Sequence, residues 1–529
     1  MRARAGVPVV QSVIWLLALA PLAQAVSALP ARSPQALARR AEWAAGCAFL
    51  VALGCAIAVF ARGPLHSTLL GANGIGLSIY ADRLSAVMLV LIAFIGSIVA
   101  RFSGPYLEGD NRQADYTRRY GLTLAAALAL PIAGNGLTVL LAWIVMGVGL
   151  QRLILLYPER RSAIIGARKN AWCNRASEFF LLLAFVIAFA NYHTLELPAM
   201  FAAGSAYGAS AWIAICIVLA GAFKSAQFPT HGWLTEVMET PTPVSALLHA
   251  GLINAGGFLI LRFSGIVSSS VSVMEALSII GAVTALFGSI VFLAQTSIKV
   301  SLAFSTVAQM GFMMLECGLG AFPAALLHIV AHSLYKAHAF LSSGSIMDIY
   351  RVSWTPSPGG RPHPARHVLA VVAVLALAYV LSRLFASSPI EQPAVFALGA
   401  VLLLGLMHLL VNAIDQRPSW FVVGRALAYA FASGILYFGL QYLMRKIFSA
   451  TLPYSHAPDT PFAVGLGALV VLAFAAVTLA QEIVPGDGAT PRWSALYAMC
   501  ANGFYVNTLV NRFVLWTLSS ALRRHKESV

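Results

Sequence analysis

Apolar runs long enough to cross a bilayer as helices, about 20 residues each, follow one another along nearly the whole chain. They lie at Val9–Val26, Trp43–Ala61, Leu84–Phe102, Gly121–Ile132, Leu137–Tyr157, Phe179–Ala190, Ala211–Phe228 and Val244–Phe263. They continue at Met274–Ala294, Val300–Cys317, Phe322–Met347, Val368–Phe385, Val395–Val411, Phe421–Met444 and Val464–Leu479. None alternates apolar and polar positions with the period of two that a barrel strand needs. The pattern predicts an all-α polytopic membrane protein with about 13–15 transmembrane helices.

The polar connectors carry a second pattern. Basic residues recur on alternate loops: Arg32, Arg39 and Arg40; Arg101, Arg112, Arg118 and Arg119; Arg160, Arg161, Arg168, Lys169 and Arg175; Arg351, Arg361 and Arg366. The intervening connectors Pro131–Gly136, Tyr192–Ala209, Gly265–Ser272 and Gly318–Pro323 contain no Lys or Arg. Cytoplasmic loops are enriched in Lys and Arg, so the first set is expected inside and the N-terminus outside, with Arg2 and Arg4 outnumbered. The first run, followed by small residues at Ala23–Ala28, also fits a cleaved signal peptide; a retained first helix is the expectation.

Composition agrees with the pattern. Of 529 residues, 59% are hydrophobic and 10% charged, with a mean hydropathy of +0.81. Soluble chains run at about 45–50% apolar and about 25% charged. The formal charge of +15 is spread over short connectors rather than gathered into a basic domain, so a nucleic-acid partner is not indicated. Cys47, Cys55, Cys173, Cys216, Cys317 and Cys500 lie in or beside apolar segments without metal-ligand spacing, and neither disulfides nor a cofactor on this chain are expected. The Pro- and Gly-rich stretch Tyr350–His367 reads as a loop. The tail Trp493–Val529, ending in Arg523, Arg524, His525 and Lys526, is amphipathic and either lies on the cytoplasmic face or re-enters it.

Ionisable residues inside such spans are read as functional because burying them is costly, about 2.5–3.5 kcal/mol for a cation on insertion scales. Lys224 ends one apolar run; Pro229, Gly232, Pro241 and Pro243 then interrupt the helix before the next. Backbone groups freed by such a break need water or protein partners, which favours a hydrated cavity. Thr242 is a candidate cap with Pro243 in the first turn, and His249 lies inside the new helix. His328, His332 and Lys336, spaced by four, share one helical stripe and form a candidate proton-hopping path, while His338 points elsewhere. Glu178, read as opening a span, is a candidate partner for Lys224. Lys299, Glu236 and Glu239 are further candidates, the last two in the interrupted segment. Asp82 is expected at the outer membrane surface.

KSAQFPTHGWL and PTPVSALLHA at Lys224–Ala250 resemble the antiporter-like, proton-conducting membrane subunits of respiratory complex I and the multisubunit sodium/proton antiporters. QTSIKVSLAFSTVAQMGFMML at Gln295–Leu315, the HxxxHxxxK pattern at His328–Lys336, NRASEF at Asn174–Phe179 and ADRLSAVML at Ala81–Leu89 resemble them too. The likeness covers roughly Ile79–Gly344. It implies two inverted five-helix repeats with broken helices and an ion path through Lys224, His249, His328, His332, Lys336, Glu178 and Lys299. It also implies N-terminal helices over 1–115, a translocating core over 116–415, and C-terminal helices with the tail over 416–529.

Within that superfamily, HAGLINAGGFL at His249–Leu259 and AHSLYKAHAFLSSGS at Ala331–Ser345 resemble the DabB branch, membrane subunits of energy-coupled inorganic carbon transporters. The resemblance implies a bacterial inner-membrane protein that conducts protons or sodium ions to a peripheral DabA-type partner similar to a carbonic anhydrase. Zinc would then lie on the partner, with the hydration chemistry. The chain departs from complex I subunits where they keep a buried glutamate in the fifth helix; here LAWIVMGVGLQ places Met146 near that position. The alternatives are a complex I-like or hydrogenase subunit, a sodium/proton antiporter subunit, and a passive membrane scaffold.

Overall fold

A computed structural model describes residues 14–203, 210–237, 240–343, 364–385, 392–413, 420–452, 460–483 and 491–513. The side chains of Arg2, Arg4, Glu239, Arg351, Arg361, Arg366, Arg523, Arg524, His525 and Lys526 lie outside what is described. Each of the fifteen apolar windows is mainly helical over its described residues. Among the described residues, eight helices are long and apolar enough to cross a membrane, and four shorter apolar helices accompany them.

The described residues fall into two compact units, the first within Met1–Ser270, Ile329–Ser342 and Val506–Val529 and the second within Val271–His328 and Ser343–Tyr505. The first contains α1 (Leu19–Ser27), α2 (Pro34–Arg62), α3 (Arg83–Tyr106), α4 (Gln113–Ala129), α5 (Gly136–Ile154) and α6 (Arg161–Tyr192). It continues with α7 (Leu197–Ala203), α8 (Ser210–Lys224), α9 (Gly232–Glu236), α10 (Thr242–Ala250), α11 (Ala255–Arg262) and α12 (Ser264–Val267).

Local chemistry starts several of these helices. Ser33 caps α2 through Ala36 N–H, with Pro34 in the first turn. Asp82 caps α3 through Ser85 N–H, and Asn135 caps α5 through Leu137 N–H. Each side-chain oxygen satisfies a donor that the first helical turn leaves open. Thr242 does not cap α10: it is the first helical residue, Pro241 precedes it, and its hydroxyl accepts from Tyr106 Oη at 3.3 Å.

Strands at residues 65–81 are the part of this unit that apolar periodicity does not predict. They form two small antiparallel pairs, Leu65–His66 with Tyr80–Ala81 and Leu70–Ala72 with Ile75–Leu77. Backbone bonds tie this segment to the connectors after α4 and α6: Tyr80 N to Ile132 O, Gly134 N to Ser78 O, and Leu195 N to Gly74 O. The basic connectors meet one another as well. Tyr157 Oη donates to Asp110 Oδ2, and Arg112 pairs with Glu159 at 3.0 Å. Two of the basic connectors therefore meet each other, while two of the connectors without Lys or Arg meet the strand segment.

Asp82, at the start of α3, is enclosed by protein. Its carboxylate is buried and paired with Arg262 at 2.8 Å, while the same guanidinium donates to Ser85 Oγ and to the Pro131 carbonyl. The ion pair joins α3 to the end of α11, a contact across 180 residues that no local pattern contains.

The second unit contains α13 (Val271–Leu293) and α14 (Ile298–Gly318), followed by the first part of α15 (Phe322–Leu341). Next come α16 (Pro364–Leu384), α17 (Pro393–Ala413), α18 (Trp420–Phe448), α19 (Thr460–Ile483) and α20 (Pro491–Ala501). Gly288 and Gly311 bring α13 and α14 into backbone contact: a methyl at either would meet the facing Ala308 or Ala285 main chain at under 3 Å. Small residues that allow such approach are the usual means by which membrane helices pack.

Candidate functional site

The interrupted helix appears where Pro and Gly placed it. α8 ends at Lys224, Ala226 takes a left-handed conformation, and α9 and α10 follow. Protein groups satisfy much of the freed backbone. Ser225 N–H donates to Gly221 O, Thr230 N–H to Gln227 O, and Ser225 Oγ to the Ile253 carbonyl at 3.0 Å. Gly256 of α11 faces the Gly221 carbonyl and Ser225, so α8 and α11 approach closely here.

Lys224 is 3% exposed. Its Nζ donates to Asn174 Oδ1 at 3.0 Å and lies 5.1 Å from the centre of the Trp143 ring. Asn174 is held in turn by Asn170 Oδ1, which accepts from its amide nitrogen at 2.8 Å. The Trp143 indole N–H donates to Ser177 Oγ, and Ser177 donates to the Ala220 carbonyl. The amine thus sits among α5, α6 and α8, held by one amide oxygen and one aromatic face. At this depth an ammonium is stabilised by both kinds of contact.

Glu178 stands near this amine, but its ion pair is with another cation. Its Oε2 is 2.7 Å from Arg175, one turn earlier on α6, the i,i+3 geometry that helices favour. Its other oxygen, Oε1, is buried without a hydrogen-bond partner. A methyl at Gly147 would lie 3.2 Å from Lys224 Nζ and 3.3 Å from Glu178 Oε1, so the amine and that oxygen face the same spot. Glu178 also does not open a span: α6 begins at Arg161, and the carboxylate lies well inside it. Met146, next in sequence to Gly147, is buried and lines an apolar cavity with Met88, Ile92, Leu252 and Phe258.

His249 is fully buried in α10 and stacks on Phe340 of α15, ring centres 4.4 Å apart. His332 and Lys336 are buried on the same stretch of α15, four residues apart, as the sequence predicts. Asn254 bridges the turn after α10 to α15, its Nδ2 donating to the Ala250 carbonyl and to Ser333 Oγ at 2.7 Å. Residues adjacent to Lys224 and to His332 are therefore linked through Ser225, Ile253, Asn254 and Ser333. The structure brings Lys224, Glu178, His249, His332 and Lys336 into one unit.

Other candidates lie elsewhere. His328 belongs to the second unit, where its Nδ1 is 3.1 Å from Glu316 Oε2. Lys299 is half-buried in the first turn of α14. His338 is exposed. Glu236 pairs with the buried Lys169 at 3.3 Å, and two asparagines on residues 506–513, Asn507 and Asn511, donate to the same carboxylate oxygen at 2.8 Å each. Residues 506–513 of the tail thus dock in the first unit beside the interrupted helix.

Sequence reading did not single out Asn174, Trp143, Gly147 or Glu316. Glu316 carried a usable signal, because it is a carboxylate inside the apolar run MMLECGL. Asn174 opens the NRASEF motif, and Trp143 and Gly147 lie in LAWIVMGVGLQ, but none is ionisable, so only their convergence on Lys224 reveals their role.

Comparison with known proteins agrees with this architecture. Residues 133–357 match the family described as "NADH:quinone oxidoreductase/Mrp antiporter, TM", and residues 70–117 match "NADH-Ubiquinone oxidoreductase (complex I), chain 5 N-terminus". The "Probable inorganic carbon transporter subunit DabB2" of Halothiobacillus neapolitanus is 36% identical over 505 residues, spanning 91% of this chain and 89% of that protein. This chain belongs to the DabB family of inorganic carbon transporter subunits. The DabB protein of Hydrogenovibrio crunogenus is 33% identical over 374 residues, covering 69% of this chain and 71% of the relative. Among solved structures, the Mrp complex from Dietzia sp. DQ12-45-1b superposes with a TM-score of 0.56 at 23% identity, over 98% of this chain and 59% of that one, a likeness of fold. The DabB assignment makes the chain a multi-span subunit of the antiporter-like membrane class.

Proposed function

We propose that this chain is the ion-conducting membrane subunit of an energy-coupled inorganic carbon pump in a bacterial inner membrane. Protons, or sodium ions as the alternative, pass inward through the first unit by way of Lys224, His249, Lys336 and His332. Their flow drives a peripheral DabA-type partner, which carries zinc and converts carbon dioxide to bicarbonate in the cytoplasm. No cofactor is assigned to this chain.

The observation that carries the reading is Lys224 itself: a buried amine at a helix interruption, hydrogen-bonded to Asn174 and facing the same spot as Glu178. An amine held by a neutral amide takes up and gives back a proton without leaving a bare carboxylate bonded to it. The names of the DabB relatives support the carbon cargo, and the antiporter-like fold supports ion conduction. Coupling requires that the partner's states differ in affinity for the loaded and unloaded path.

The test is to express the chain with and without a DabA-type partner in a carbonic-anhydrase-deficient bacterium. Growth in air and uptake of labelled inorganic carbon are then measured. Rescue that needs both chains and collapses with an uncoupler is the expected result. Absence of rescue despite intact, membrane-inserted complex would instead favour a cation antiporter.

A further inference from the structure

Glu316 is placed where a carboxylate is hardest to keep. It is 1% exposed, in the last turn of α14, surrounded by the buried run Phe312–Gly318. The C-terminal end of a helix carries partial negative charge, so an anion there is opposed by the helix as well as by its burial. Such a residue in an apolar run requires a compensating partner.

That partner is His328, six residues into α15, whose Nδ1 lies 3.1 Å from Glu316 Oε2. Imidazolium and carboxylate together have no net charge, which removes most of the cost that either would bear alone. Other ionisable groups among the described residues stand near the pair. Cys317 follows Glu316 in the chain, and Tyr437 of α18 lies close enough to sense the carboxylate, its hydroxyl donating to the Val395 carbonyl. Glu275 of α13 sits one turn from Ser278, the residue packed against Gly318.

We propose that Glu316 and His328 form a proton-binding site of the second unit, with Glu316 as the group that gains and loses the proton. At rest the pair holds one proton on the imidazole. An arriving proton adds to the Glu316 carboxylate, turning it into a carboxylic acid beside the protonated His328. When that proton leaves, the ion pair re-forms; one proton enters, one departs, and no electron moves. A merely structural pair has no reason to place an acid against a helix C-terminus, because an apolar pair of similar volume would hold these helices at no such cost. This proposal deepens the ion-conducting reading above and rests on it for the proton's purpose.

The test has two independent readouts on the full chain in complex with its partner, in lipid. Infrared spectroscopy across a pH titration should show a carboxylic C=O band that is absent in Glu316→Gln, shifted in Glu316→Asp and displaced along the pH axis in His328→Gln. Labelled-carbon uptake should fall by roughly 100-fold in Glu316→Gln, in line with the weight of acid–base groups elsewhere, and recover in part in Glu316→Asp. A titration unchanged in Glu316→Gln would place the proton on another group and overturn the proposal. Wild-type uptake with an unaltered pH profile in both Glu316→Gln and His328→Gln would reduce the pair to packing. The infrared titration needs no transport, so a complex that moves no carbon yet shows the band would remove the carbon cargo and leave this site standing.

Discussion

Lys224 Nζ donates to Asn174 Oδ1 at 3.0 Å, so an amide oxygen holds the buried amine at which α8 ends. The nearby carboxylate of Glu178 is taken by Arg175. Charge balance around Lys224 is thus shared across α6 rather than concentrated in one ion pair.

Removing the amine with Lys224→Ala should lower coupled uptake by roughly 100-fold or more, the range of a lost acid–base group. Gly147→Ala tests the geometry more finely. Its methyl would stand 3.2 Å from Lys224 Nζ and 3.3 Å from both Asn174 Cγ and Glu178 Oε1, closer than ordinary van der Waals contact. Uptake should drop several-fold with the amount of membrane-inserted complex unchanged. Parental uptake in both variants would take Lys224 out of the path.

The Asp82–Arg262 pair is buried on both sides. Asp82→Ala leaves the guanidinium without its counter-charge and removes the α3 cap, and should cost about 3–5 kcal/mol. Denaturant unfolding in detergent measures it. Replacing both residues with apolar ones should cost less than the sum of the single changes, because neither charge is then stranded.

The tail segment should loosen when its anchors are cut. Asn507 and Asn511 both reach Glu236, and Lys169 donates to Asn507 at 2.5 Å. Replacing both asparagines with Ala should cost about 1–2 kcal/mol locally, a rise of roughly 5- to 30-fold in amide exchange over 506–513. Exchange equal to that of the parent would show that the apolar contact of Phe513 with Trp172 holds the segment alone.

The basic connectors carry a pH signature outside the spans. Burial, with Asp110 as hydrogen-bond partner, pushes the Tyr157 hydroxyl up to about 12, and the bond from Tyr157 holds Asp110 below its ordinary value. A raised phenol contributes stability that is intact below the unfolded value of 10.0 and is lost as pH climbs through the folded one. A lowered carboxyl contributes stability that is intact above its unfolded value and is lost as pH falls through the folded one. Phenolate absorbance should therefore appear late for Tyr157, and Tyr157→Phe should flatten the alkaline loss of stability and weaken the acid one. An alkaline limb unchanged in Tyr157→Phe would refute the assignment.

Much of the site was legible in the chain because ionisable residues inside apolar runs are conspicuous. Lys224, His249, His332 and Lys336 are buried as their positions imply, and spacing by four places the last two on one stripe. The interruption after Lys224 follows from Pro229 and Pro241, whose rings leave no N–H for a continuing helical ladder. Glu178 was harder to read: the polar residues before it, Arg161 to Asn174, are helical here despite their composition, so it became a mid-helix residue with its own cation.

The sequence by itself determined the helical class, the places of the apolar helices and the family, because hydropathy acts over a few residues at a time. Only the tertiary structure decided which partner each buried charge has. Asp82 with Arg262, Glu316 with His328, Lys224 with Asn174 and Lys169 with Glu236 come from separate helices. The physical reason is that a buried charge is stabilised by whatever group stands within about 3 Å of it, and that neighbour is set by helix packing, which local patterning does not encode.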